Sequence, residues 1–97
     1  MTLLLELLIE FISTFIIALV VLKTDGQILP VTIAFFALTV IAFNISGGYF
    51  NPATTTLALL RNKKTVLQWT MYIIVQLIAI YAGYRYYNTY ESPIKIY

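Results

Sequence analysis

The chain alternates between long apolar runs and short polar stretches. Three long runs cover residues 3–22, 28–45 and 66–84, and a fourth, short run covers residues 52–60. A transmembrane helix needs about 20 mainly apolar residues. The runs lack the strict apolar/polar alternation of a half-buried strand. The pattern therefore predicts an all-α membrane protein with three transmembrane helices.

The short run is too small to cross a bilayer. Its nine residues, 52–60, would form a helix of roughly 13 Å, whereas the hydrocarbon core is about 30 Å thick. It follows a polar, glycine-containing stretch that begins at residue 46. We therefore expect residues 46–60 to form a re-entrant loop and half-helix, followed by the third span at 66–84 and a polar tail at 85–97.

Composition supports placement in a membrane. Hydrophobic residues make up 61% of the chain and charged residues only 10%, against roughly 45–50% and about 25% in soluble domains. The first run contains Glu6 and Glu10 and lacks the positive start of a signal peptide, so it is interpreted as a retained helix. We expect an integral, multi-pass protein whose main partner is the lipid bilayer.

The residue types exclude several kinds of chemistry. The sequence contains no cysteine and no histidine, which excludes disulfides and the zinc sites and catalytic triads that use these residues. No metal, cofactor or catalytic residue is predicted, and an enzyme is not expected. The net charge of +2 is too small to indicate a nucleic-acid partner.

The start of the half-helix carries a recognisable local chemistry. Asn51 is a favourable N-cap and Pro52 suits the first helical position. The Asn51 side-chain oxygen can accept a backbone N–H of the first turn, that of Ala53 or of Thr54, which leaves its NH2 group as an outward donor. The helix dipole places partial positive charge at the same end.

The preceding loop supplies acceptors. Gly47 and Gly48 permit unusual backbone conformations, and the carbonyls of Gly47, Gly48 and Tyr49 would have no partners inside a helix. At membrane depth such groups are tolerated only against protein or along a wet cavity. Together with the Asn51 donor, they describe half of a narrow polar conduit.

Three motifs resemble those of the aquaporin, or major intrinsic protein, family of water and glycerol channels. Residues 45–53, ISGGYFNPA, resemble its first loop signature, SGGHFNPA. Residues 10–15, EFISTF, resemble its first-helix motif, AEFxGTF. Residues 72–76, YIIVQ, resemble its third-helix pattern, YxxAQ. The motifs occur in family order, and the resemblance is to the first half of a family member.

The resemblance implies roles for individual residues. Asn51, with Pro52 and Ala53, would form the pore motif that donates to water or a polyol hydroxyl. The carbonyls of Gly47, Gly48 and Tyr49 would form the acceptor ladder, although Tyr49 replaces the family's histidine. Glu10 would brace the loop from the interior, and Gln76 would give polar support from the third helix.

The aromatic position of the family's selectivity constriction has two candidates. An alignment without a gap places Val31 there, and an alignment with a second helix about one turn shorter places Phe35 there. Both remain open at this point.

The sequence contains a single Asn-Pro-Ala motif, whereas family members have two inverted repeats with one each. A pore therefore needs an opposing half. The resemblance implies a passive channel for water or small neutral solutes such as glycerol, assembled from half-repeats by oligomerisation. Alternatives are a non-conducting half that associates with a full-length channel and modulates it, and a fragment without function.

The basic residues bear on how two halves would meet. They divide equally between the two expected membrane faces: Arg61, Lys63 and Lys64 at one, and Lys23, Arg85 and Lys95 at the other. Loops rich in Lys and Arg normally fix orientation, so an equal division favours insertion both ways. The expected partner is a second copy, forming a homo-oligomer such as an antiparallel dimer, or another aquaporin-like half.

Overall fold

The computed structural model describes residues 2–91, and this part of the chain is almost entirely helical. Helix α1 covers Leu3–Thr24, α2 covers Ile28–Ala42, α3 covers Pro52–Leu60 and α4 covers Val66–Tyr86, followed by a π-helical turn over Tyr87–Glu91. No strand occurs among residues 2–91. The predicted all-α class is confirmed.

Two helical segments of the described chain are long and apolar enough to cross a membrane, judged by length and composition. They are Leu3–Thr24 and Val66–Glu91. Helix α2 has 15 residues, or about 22 Å, and ends three residues before the expected limit at 45. The chain then turns over residues 43–46 towards the loop, and the Ser46 N–H still donates to the Ala42 carbonyl at 2.9 Å.

The start of the expected polar tail is helical. Helix α4 continues to Tyr86 rather than ending at 84, and the π-helical turn extends the helical path to Glu91. The Tyr86 ring contacts the rings of Phe15 and Tyr90, with centroid distances of 5.7 and 5.3 Å, and Glu91 pairs with Lys23. These contacts with α1 explain the extension. Residues 92–97 of the expected tail lie outside the described residues.

Helices α1 and α4 run parallel, side by side. Glu10 contacts Gln76 near the middle, and Lys23 contacts Glu91 at the far end, so both chains advance in the same direction at a nearly constant offset. Helix α2 returns beside α1 after the turn at residues 25–27. These helices form the frame that holds the loop.

Helix α3 runs antiparallel to α4. Its first turn meets the middle of α4, where Thr55 contacts Gln76 at 2.8 Å. One residue later, Thr56 accepts a hydrogen bond from the Trp69 indole, nearer the start of α4. Helix α3 therefore begins at mid-height in the bundle and ends at the same face as the start of α4.

The described chain is polar inside and apolar outside. Of the twelve buried side chains, six are polar or charged: Glu10, Ser13, Thr14, Ser46, Thr55 and Gln76. Large apolar side chains on the outer faces are exposed, including Leu4, Ile28, Phe36, Leu60 and Leu67. Exposed apolar surface of this extent is typical of contact with lipid or a partner.

Close packing of α1 against α4 depends on a glycine. A Cβ added at Gly83 would lie 2.9 Å from the Ala18 Cβ and 3.3 Å from the Phe15 carbonyl oxygen. Neither atom belongs to a flexible side-chain end. Small residues allow this close backbone approach between membrane helices.

We therefore expect Gly83→Ala to destabilise the protein by about 1–3 kcal/mol, the usual cost of overpacking. The free energy of unfolding in mixed micelles measures the effect. Adding Ala18→Gly should restore part of the stability, because it removes the closest clashing atom. Ala37→Leu on the exposed face of α2 is the control. Equal stability of Gly83→Ala and wild type would contradict the packing.

Candidate functional site

The loop between α2 and α3 adopts a backbone that requires its two glycines. Gly47 and Gly48 have φ angles of +95° and +66°, values that side chains rarely allow. A Cβ at Gly47 would collide with the Tyr49 ring, and one at Gly48 would lie 3.3 Å from the Thr39 Cγ2. The loop therefore packs closely on itself and on α2.

Phe50 is in the left-handed region without being glycine. Its φ is +61°, which is unusual for a bulky residue. Helix α1 holds both of its backbone groups: the N–H donates to Glu10 at 2.8 Å, and the carbonyl accepts from the Thr14 hydroxyl at 3.2 Å. The ring is buried in an apolar cluster with Ile17 and Ala42. These contacts offset the strain and fix the last residue before Asn51.

Glu10 is the fully buried carboxylate that organises the loop. One oxygen accepts from the Ser46 hydroxyl at 2.6 Å and the Tyr49 N–H at 3.2 Å. The other accepts from the Phe50 N–H at 2.8 Å and the Gln76 amide at 3.0 Å. A carboxylate has about four acceptor sites, and these four hydrogen bonds occupy all of them.

Gln76 connects this carboxylate to α3. Its Nε2 donates to Glu10 and, at 2.8 Å, to the Thr55 hydroxyl. Its Oε1 is buried and has no partner among residues 2–91. Glu10 and Gln76, the two residues expected to give polar support, therefore lie together and contact both the loop and the half-helix.

Asn51 caps α3. Its Oδ1 accepts the Thr54 N–H at 3.0 Å, and Pro52 is the first helical residue. The Asn51 Nδ2 makes only a long contact of 3.4 Å with the Tyr49 carbonyl, so the amide retains donor capacity. Ala53 follows on the exposed side of the first turn. The predicted N-cap is therefore observed, with the Thr54 N–H as its donor, and the role of the amide as a pore donor stays a prediction.

The acceptors of the loop differ from one another. Among residues 2–91, no hydrogen bond reaches the carbonyl oxygens of Gly47 and Gly48. The Tyr49 carbonyl, in contrast, accepts from the Asn51 N–H at 2.8 Å and from the Thr54 hydroxyl at 2.7 Å. The three carbonyls expected to form a ladder are therefore not equally available.

The Tyr49 side chain belongs to a cationic and aromatic cluster. Its ring lies edge-on to Tyr72 at 6.2 Å. The Lys64 Nζ lies 3.7 Å from the centroid of Tyr72 and 5.0 Å from that of Tyr49. Burial lowers the pKa of Lys64 below its usual value, and the charges of Glu6 and Glu10 partly offset this effect. The cluster anchors the loop to the turn before α4.

Two cavities lie next to the loop and the start of α3. We call the first the vestibule; it has about 260 Å³ and is lined by Gly48, Tyr49, Thr54, Leu57, Ala58, Arg61 and Lys63. We call the second the groove; it has about 300 Å³, is mainly apolar, and lies between α1, α2 and α4. Asn51, Phe50 and Phe35 line the groove, and Val31 is not among the described residues that do so.

Sequence reasoning missed several residues that complete the site, namely Thr14, Ser46, Phe50, Thr54, Thr55, Lys64 and Tyr72. A usable signal existed for some of them. Polar residues at every fourth position share one helix face, as do Glu6, Glu10 and Thr14 on α1. Such a stripe in an apolar helix marks the face turned towards a buried polar segment.

We expect Glu10→Gln to destabilise the protein by at least about 2 kcal/mol, because the amide NH2 would face donors that now reach an acceptor. Glu6→Gln is the matched control. Glu6 accepts one side-chain hydrogen bond, from Tyr72 at 2.6 Å, and an amide oxygen can replace that acceptor. Its cost should stay below about 1 kcal/mol. Denaturation in micelles provides both values, and equal losses would contradict the bracing role of Glu10.

Sequence comparisons with known proteins identify relatives of this chain. The sequence model of the family described as Major intrinsic protein matches residues 23–93. The chain is 38% identical over 95 residues to the glycerol uptake facilitator protein-like 6 of Lactiplantibacillus plantarum (strain ATCC BAA-793 / NCIMB 8826 / WCFS1), covering 90% of this chain and 44% of the relative. No solved structure gives a significant match. Proteins of this family are integral membrane channels and not enzymes. The chain belongs to the major intrinsic protein family.

Proposed function

We propose that this chain forms one half of a passive channel for water and small neutral solutes such as glycerol, completed by oligomerisation with a second half. In this proposal α1, α2 and α4 each cross the bilayer, and residues 46–60 form the re-entrant loop and half-helix. The polar interior and apolar exterior of the described residues support this arrangement.

The observation that carries the proposal is the position of Asn51. Its amide retains donor capacity at the positive end of α3, at mid-height in the bundle, and Asn51 lines the groove, whereas its neighbours Tyr49 and Thr54 line the vestibule. A neutral solute that passes between the two cavities would meet this donor. A cation would be repelled by the positive end of the helix.

The groove offers a surface on which a second half could pack. It is open and mainly apolar, and Asn51 is one of its few polar lining residues. A second re-entrant segment seated there would place its own helix start opposite Asn51, in the inverted arrangement of repeat-built transporters. Phe35 lines the same groove, which makes it the better candidate than Val31 for a constriction.

The choice of solute rests partly on the relative. The chain spans 44% of the length of the glycerol uptake facilitator-like protein that it matches. The name of the relative describes that whole protein, of which this chain matches less than half. We therefore propose small neutral polyols and water as the solute class, carried by the donor and acceptor chemistry of the loop.

We expect Asn51→Asp to reduce solute permeability at least about tenfold. The aspartate keeps an acceptor for the Thr54 N–H, so α3 still starts correctly, but the NH2 donor is lost and a charge is added. Stopped-flow swelling of proteoliposomes measures permeability, and thermal unfolding checks the fold. Asn88→Asp, in the exposed π-helical turn, is the control. Undiminished flux in folded Asn51→Asp protein would refute the proposed role.

The charge distribution supports pairing of oppositely inserted copies. Arg61, Lys63 and Lys64 lie at the end of the bundle where α4 starts, and Lys23 and Arg85 lie at the other end. Lys95, the third residue assigned to that second end, is outside the described residues. With so little Lys/Arg bias, both orientations are accessible, and an antiparallel dimer would present two inverted halves to one another.

We expect both orientations in one membrane. The sequence has no cysteine, so Gln27→Cys and Val66→Cys place single thiols at opposite ends of the bundle. A membrane-impermeant maleimide added outside sealed vesicles should label about half of the molecules of each variant, because the Lys/Arg bias that sets orientation is nearly absent. Complete labelling of one variant and none of the other would exclude the antiparallel dimer.

A further inference from the structure

Three consecutive threonines at the start of α3 use their hydroxyls differently. The Thr55 hydroxyl donates to the Asn51 carbonyl at 2.8 Å and accepts from Gln76. The Thr56 hydroxyl accepts from the Trp69 indole at 2.9 Å. Both therefore join the loop and α3 to α4. Thr54, in contrast, is exposed and lines the vestibule.

The Thr54 hydroxyl changes the chemistry of the loop beside Asn51. It donates to the Tyr49 carbonyl at 2.7 Å, and the Asn51 N–H donates to the same oxygen at 2.8 Å. A carbonyl oxygen has two lone pairs, so both are occupied. The Tyr49 carbonyl is therefore unable to accept a further hydrogen bond from a solute.

The Thr54 hydroxyl oxygen can accept a hydrogen bond in place of the Tyr49 carbonyl oxygen. A hydroxyl has one donor proton and two lone pairs, and the proton of Thr54 is used towards the loop, where the Asn51 carbonyl is also within 3.2 Å. Its oxygen accepts no hydrogen bond from residues 2–91, and Thr54 lines the vestibule. An acceptor at Thr54 and a donor at Asn51 thus lie within one helical turn.

We propose that Thr54 is a specificity-determining contact that favours small polyols, its Oγ1 accepting from one solute hydroxyl while the Asn51 amide donates to the solute. This inference rests on the proposed channel function. A polyol carries several hydroxyls on a carbon frame and loses more than water when one of them finds no partner in a narrow passage. A paired donor and acceptor therefore lowers the barrier for the polyol more than the barrier for water.

The test is the ratio of glycerol to water permeability in proteoliposomes, which does not depend on the amount of active protein. Thr54→Val keeps the branched shape and removes the hydroxyl, and we expect the ratio to fall roughly three- to tenfold, as for one lost hydrogen bond. Thr54→Ser keeps the hydroxyl and should keep the ratio within about twofold of wild type.

Thr70→Val is the matched control. Thr70 is exposed in the second turn of α4, and its hydroxyl donates to the Val66 carbonyl at 2.8 Å, so the same substitution removes a similar hydrogen bond away from the loop. Its ratio should equal that of wild type. Thermal unfolding of each variant reports whether the loop still folds.

The outcomes separate this inference from the channel proposal. If wild type conducts glycerol and Thr54→Val keeps the wild-type ratio, the role of Thr54 is refuted and the channel stands. If Thr70→Val lowers the ratio as much as Thr54→Val does, the role of Thr54 is also refuted. If wild type conducts neither solute, the channel proposal fails and this inference fails with it.

Discussion

The architecture depends on one buried carboxylate in an apolar bundle. Glu10 accepts two loop N–H groups, one hydroxyl and one amide, and so satisfies donors that lipid could not. The loop needs this support because its backbone is strained at Phe50 and has two glycines at positive φ. Hydrogen bonds that three loop residues donate to this one side chain hold that backbone in a defined structure.

The position of α3 follows from this constraint. Once Phe50 is fixed to α1 through Glu10 and Thr14, the next residue, Asn51, must start its helix at mid-height. Gln76 and Trp69 then align α3 along α4. The polar side chains that hold the loop and α3 make the interior polar. The large apolar side chains therefore lie on the outer surface. The same arrangement leaves Asn51 in the lining of the groove, next to Tyr49 and Thr54, which line the vestibule.

Features with a local cause were predictable from the sequence. The cap at Asn51 and the half-helix that follows are set by neighbouring residues, and run length placed the apolar helices within a few positions. The position of Glu10 against the loop needed the family resemblance, because 36 to 40 residues separate it from its loop partners. The early end of α2 and the helical course of residues 85–91 depend on tertiary contacts that periodicity does not contain.

The finer chemistry of the loop was not predictable. Sequence reasoning treated the carbonyls of Gly47, Gly48 and Tyr49 as equivalent acceptors, but Thr54 engages only the last of them. Which of three adjacent threonine hydroxyls turns inward depends on the angle at which α3 leaves the loop. Likewise, Val31 and Phe35 are separated by one helical turn, and only packing brings Phe35 to the groove beside Asn51.

The central claim is that the re-entrant segment of a second copy faces this one across the pore. Disulfide cross-linking of a single introduced thiol tests it most directly, because the chain has no cysteine of its own. Ala53 lies on the exposed side of the first turn of α3, and Ala37 lies on the exposed face of α2. The account predicts covalent dimers of Ala53→Cys in membranes under mild oxidation and few or none of Ala37→Cys. Absence of dimers at position 53, or equal cross-linking at both positions, would contradict it.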